Sequence, residues 1–185
     1  GARARPRRAL PVMIVLGIDP GPETHGAVLY DSELRRVLWS AKAIESIDLE
    51  QKLSGHDPRL LADSFCIVIE RPSAMGALGV GIVGHMLDTA WVAGRLVGVL
   101  GEVHALKIKT MTRREVLRHL GVLSGKGSSD SRVRAACIAD HETPGGPPAV
   151  GRKATPGPLY GVSSHGWQAL GLVLAWLEQQ LQEGA

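Results

Sequence analysis

Two carboxylates stand where a buried strand leaves little room for charge. Asp19 closes the apolar run Met13-Ile14-Val15-Leu16-Gly17-Ile18, and Glu70 closes a second, Phe65-Cys66-Ile67-Val68-Ile69. An ionised carboxylate buried without a partner is costly, so each asks for hydrogen-bond donors or a cation. Asp19-Pro20-Gly21 also reads as a turn whose Asp caps its own backbone. Glu70 has an ion-pair candidate in its neighbour Arg71. That pair explains one carboxylate but not the placement of both. Two carboxylates at the ends of adjacent strands repel unless a divalent cation sits between them, and hard oxygen donors suit Mg2+ or Mn2+.

The elements that must position them are legible as patterns. Residues 13–18 and 65–69 read as strands buried on both faces. Residues 26–30 and 36–39, joined around Asp31-Ser32, continue the first strand as an antiparallel meander. A short helix is expected over 58–64. A Gly-rich loop from Met75 to Gly81 then leads into a helix ending near Leu100, and 103–108 reads as a strand. Thr112-Arg113-Arg114-Glu115 has capping-box spacing for a helix to about Leu120. After the Gly125-Lys126-Gly127 loop, Ser128 or Ser129 caps a helix to about Asp140. Residues 143–161, dense in Pro and Gly, read as a mobile loop. Ser163 or Ser164 caps a last helix over 165–181 that is apolar almost all round. Trp91, Trp167 and Trp176 read as core residues.

The chain has 185 residues, 44% of them hydrophobic, and a net charge of +3. That length suits one compact α/β domain over 13–181, with a short tail at 182–185, and shows no internal repeat. It is too short for the two lobes of an actin-like kinase, which also opens on a Gly-Ile-Asp strand. The charge is unevenly spread. Residues 1–12 carry four arginines and no acid, and read as a flexible Arg-rich arm or a start-site segment, Met13 standing just before the first strand. Residues 13–103 are net acidic and 104–153 net basic. The basic segment supplies Lys107, Lys109, Arg113, Arg114, Arg118, Lys126, Arg132, Arg134, Arg152 and Lys153. These form either a phosphate-tracking surface beside the carboxylates or a set of solvated helix faces. The apolar stretch from Val80 to Leu100 carries His85, Asp88 and Arg95, which fits a packed helix and no membrane span. Cys66 and Cys137 read as buried thiols of an intracellular, cytoplasmic protein.

Gly17-Ile18-Asp19-Pro20-Gly21 with Gly26-Ala27-Val28, then Ile69-Glu70, Gly125-Lys126-Gly127 and Ser164-His165-Gly166-Trp167-Gln168-Ala169-Leu170 resemble a RuvC-type Holliday-junction resolvase, more a phage-type member than a bacterial housekeeping one. The resemblance spans about Met13 to Leu177. It implies an α/β, ribonuclease H-like fold: a mixed five-stranded sheet, antiparallel meander plus parallel strands, flanked by helices. It further implies a homodimer that cuts four-way junctions by paired hydrolysis, with two Mg2+ or Mn2+ ions per site. Its four site positions fall on Asp19, Glu70, His165 and Gln168. His165 and Gln168, three apart on a helix, share a face. For His165 a satisfied core histidine is the competing reading. The family usually has Asp where this chain has Gln168, whose neutral amide oxygen is a weaker ligand for a hard cation. Asp130 is a candidate replacement ligand, or an N-terminal acid favoured by the helix dipole. The family's aromatic residue three positions after the Glu is Ser73 here. A junction-binding protein without chemistry and a related nuclease acting on RNA are the competing functions.

Overall fold

The computed structural model describes residues 12–54, 65–72, 80–104 and 108–183. The expected helix over 58–64, most of the Gly-rich loop, Lys107, and residues 1–11 of the arm lie outside them. Strands β1 (Ile14–Asp19), β2 (Thr24–Asp31) and β3 (Arg36–Glu45) run as an antiparallel meander. Strand β4 (Phe65–Arg71) pairs parallel with β1, and β5 (Ile108–Thr112) pairs parallel with β4. The sheet order is β3-β2-β1-β4-β5. This is the mixed five-stranded sheet, antiparallel meander plus parallel strands, that the sequence leads one to expect.

Side-chain alternation sorts the two faces. Leu16, Ile18, Phe65, Ile67 and Ile69 bury one face under helices α1 (Ser46–Ser54) and α2 (Val80–His104), through Leu49, Leu53, Leu96 and Leu100. Val15, Cys66 and Val68 bury the other face under α3 (Arg113–His119), α4 (Ser129–His141) and α5 (Gly166–Glu183). Asp19 and Glu70 continue this second set, so both carboxylates project to the α5 side at the carboxyl ends of their strands.

Helix α5 lies unusually close to the sheet, and two glycines make the room. A Cβ on Gly17 would come within 2.3 Å of the Ala169 carbonyl oxygen, and one on Gly26 within 2.4 Å of that of His165. Gly26 pairs with Asp19 across β1 and β2. The approach therefore sets the first turn of α5 beside Asp19.

Several boundaries differ from the sequence reading. The strand expected at 103–108 begins at Ile108, because α2 continues to His104. The β3 strand extends beyond 36–39 to Glu45, and α1 follows it directly. Helix α5 is not opened by a serine side chain; the Ser163, Ser164 and His165 carbonyls accept its first amide hydrogen bonds. Within 143–161 a two-residue antiparallel pair forms, β6 (Gly151–Arg152) with β7 (Thr155–Pro156), and Ala149 and Leu159 join the core. Trp167 and Trp176 are core, as expected, but Trp91 is 68% exposed on α2. Cys66 and Cys137 are buried free thiols.

Candidate active site

The site is built from strand ends. Parallel pairing of β1 with β4 sets Ile18 opposite Ile69, so Asp19 and Glu70 leave the sheet side by side. Each carboxylate is only 16% exposed. Burial is the main cause raising both above the ordinary carboxylate range, and Glu70 is pushed up to about 7. Arg113 opposes the shift on both, while Asp19 adds to that on Glu70.

His165 Nδ1 stands 3.2 Å from Asp19 Oδ2. An ionised carboxylate only accepts, so with Asp19 ionised Nδ1 donates to it, and in the neutral imidazole Nε2 is then the acceptor. The His165 ring is 68% exposed, which sets aside the core-histidine reading. Gln168 is buried, and its Oε1 has no hydrogen-bond partner among the described residues. His165, Trp167 and Gln168 line a cavity of about 580 Å3 with Asp130, Ser131 and Arg134, whose guanidinium lies 5.4 Å over the Trp167 ring.

Arg113 occupies a place that its charge alone does not reveal. Its Nη1 donates to Glu70 Oε2 at 3.2 Å, and its Nη2 donates to Asp130 Oδ1. The ion pair of Glu70 is therefore with Arg113 and not with Arg71. The sheet register places it there: β5 pairs with β4 up to Arg71 opposite Thr112, so the next residue emerges at the same sheet end as Glu70. The capping box of Thr112 and Glu115 fixes that exit, with Thr112 N–H donating to Glu115 Oε2 at 2.6 Å.

The other basic residues divide. Lys109, Arg114, Arg118, Lys126, Arg152 and Lys153 are exposed. Arg132 instead donates to the Gly125 carbonyl at 2.9 Å, holding the Gly125-Lys126-Gly127 loop. Gly125 and Gly127 adopt φ of +140° and +87°, which side chains rarely tolerate.

Among the described residues no group of three or more His, Cys, Asp or Glu forms a ready metal cage. The two desolvated carboxylates, side by side, still fit a hard divalent ion. Mg2+ is commonly held by one or two carboxylates with several waters.

No family model matches the chain, and no curated protein matches it. Among solved structures, it is similar to Thermus thermophilus RuvC in complex with a Holliday junction substrate, at 17% identity and a TM-score of 0.48, covering 91% of this chain and 96% of that one. A second structure of Thermus thermophilus RuvC is 18% identical with a TM-score of 0.45, covering 92% and 97%. Among the described residues no helix is long and apolar enough to cross a membrane.

Proposed function

We propose that the chain is a divalent-metal-dependent endonuclease that resolves four-way DNA junctions. The observation that carries this reading is the pair Asp19 and Glu70, desolvated side by side at the strand ends with His165 bonded to Asp19. Such a pair holds a cation better than it holds two bare charges. Mg2+ or Mn2+ bound there, two ions in the full site, supplies Lewis-acid polarisation of the scissile phosphate. Asp19 and Glu70 hold the metal. His165, oriented through Nδ1 by Asp19, presents Nε2 to accept a proton from the attacking water or to hold one for the leaving oxygen. Gln168 offers its amide oxygen to the same side, and Asp130 is a further ligand candidate. The exposed cations Lys109, Arg114, Lys126, Arg152 and Lys153 would follow the phosphate backbone, with Lys107 beyond the described residues.

Symmetric cleavage of a junction needs two sites related by a two-fold axis. Exposed Leu87 and Trp91, four apart on α2, support a homodimer through that helix. Sedimentation showing only monomer, with and without junction DNA, would contradict it.

A second reading has its own support. Arg113 already pairs with Glu70 and Asp130, and Gln168 brings no charge. A junction-binding protein without chemistry would look the same. Incubation with a synthetic four-way junction, a linear duplex and an RNA duplex, with Mg2+ or EDTA, separates the readings. Paired nicks in the junction only with Mg2+ support the resolvase. Binding without cleavage supports the alternative, and RNA cleavage redirects the substrate.

A further inference from the structure

We propose that Arg113 is a built-in counter-cation which a divalent ion must displace from Glu70, and which then turns to the substrate phosphate, so that metal and DNA bind cooperatively. The inference rests on the functional reading above and adds a role for a residue outside the four carried by the resemblance.

The guanidinium forks between two carboxylates that differ in setting. Glu70 is 16% exposed and Asp130 is 64% exposed. Arg113 itself is 18% exposed, and no protonation change can neutralise a guanidinium at ordinary pH. Three carboxylates, Asp19, Glu70 and Asp130, act on one another here, and the Arg113 guanidinium bonds directly to two of them. Asp19 and Glu70 are poorly solvated, which invites a cation, while the Glu70 oxygen it would use is already engaged by Arg113.

A divalent ion and Arg113 therefore compete for Glu70. The exposed Asp130 grip is exchanged readily with water, so the side chain can let go from that end first. Once released, the guanidinium remains anchored by the first residue of α3, beside the carboxylates and next to the exposed Arg114. A planar fork that matches a carboxylate matches a phosphate equally well. Linkage makes the effect reciprocal: a phosphate that draws Arg113 away favours the metal by the same factor.

The test begins with the full chain free of DNA. Mn2+ binding is measured by calorimetry for wild type, Arg113→Gln and Arg113→Lys, each checked for folding by a melting curve. Arg113→Gln is expected to bind Mn2+ about tenfold more tightly, and Arg113→Lys to fall between. Equal or weaker Mn2+ binding by a folded Arg113→Gln overturns the proposal, as does the same result for Arg113→Lys if the Gln variant does not fold. Junction binding is then measured in EDTA and in Ca2+. Wild type is expected to gain affinity with Ca2+, and Arg113→Gln to lose most of that gain; an unchanged gain overturns the phosphate half. If no protein in the series binds the junction, the functional reading and the phosphate half fail together, while the Mn2+ titration still decides the counter-cation.

Discussion

Asp19 and His165, 146 residues apart in sequence, meet at 3.2 Å because a strand end and a helix start are pressed together over Gly26. The contact aligns the imidazole without burying it. His165→Ala is accordingly expected to lower nicking by about 10²- to 10⁴-fold. Its melting temperature should stay within a degree or two of wild type. A large loss of stability would mean that the ring is structural.

Gly26 is the residue that permits that meeting. A methyl group there runs into the His165 carbonyl and Cβ, at 2.4 and 2.7 Å, and the backbone of α5 must yield. Gly26→Ala should cost about 1–3 kcal/mol, seen in denaturant unfolding, and should lower nicking further than the stability loss explains. Normal activity with normal stability would show that α5 has slack at this end.

Glu70 sets a pH dependence with a definite sign. Its folded value of about 7 lies above the ordinary 4.5, so between those values the folded protein holds a proton that the unfolded chain has lost. The Glu70 contribution to stability without metal should therefore be fully present below about pH 4.5 and be lost as pH rises towards 7, by on the order of 3 kcal/mol across the window, while buried His25, held below its ordinary value, works in the opposite sense. Asp19 is shifted in the same direction. Denaturant unfolding in EDTA at pH 5, 6 and 7 measures the slope, and Glu70→Gln should flatten it. A slope untouched by Glu70→Gln would contradict the burial argument.

Gln168→Asp tests whether the lone amide oxygen belongs to the metal pocket. The new carboxylate would be buried at a position now 6% exposed, so the metal-free protein should melt lower. Mg2+ should restore the loss, and half-maximal nicking should come at lower Mg2+. A lower melting temperature with an unchanged Mg2+ requirement would place Gln168 outside the site.

Where a feature depended on local pattern, the sequence was a good guide. The apolar runs ending in Asp19 and Glu70 are visible because a strand buried on both faces has no polar alternation to confuse it. The caps at Thr112 and Ser128 are visible because they rest on residues three apart. Strand β5 was misplaced for the converse reason. Its outer position leaves Lys109 and Thr110 exposed, and the apolar residues just before it belong partly to the end of α2. Trp91 was misjudged because spacing on an apolar helix does not say which side another element covers. Arg113 shows the limit most clearly. Its positive charge is in the sequence, but whether it meets a phosphate or two carboxylates depends on the sheet register between β4 and β5.

The most direct measurement follows nicking of a four-way junction by wild type and Asp19→Asn across a Mg2+ titration, with junction binding recorded beside it. Asp19 lies at the join of β1, β4 and α5. The account predicts Mg2+-dependent paired nicks by wild type, and for Asp19→Asn no nicking with binding equal to wild type or stronger. Undiminished cleavage by purified Asp19→Asn would contradict it.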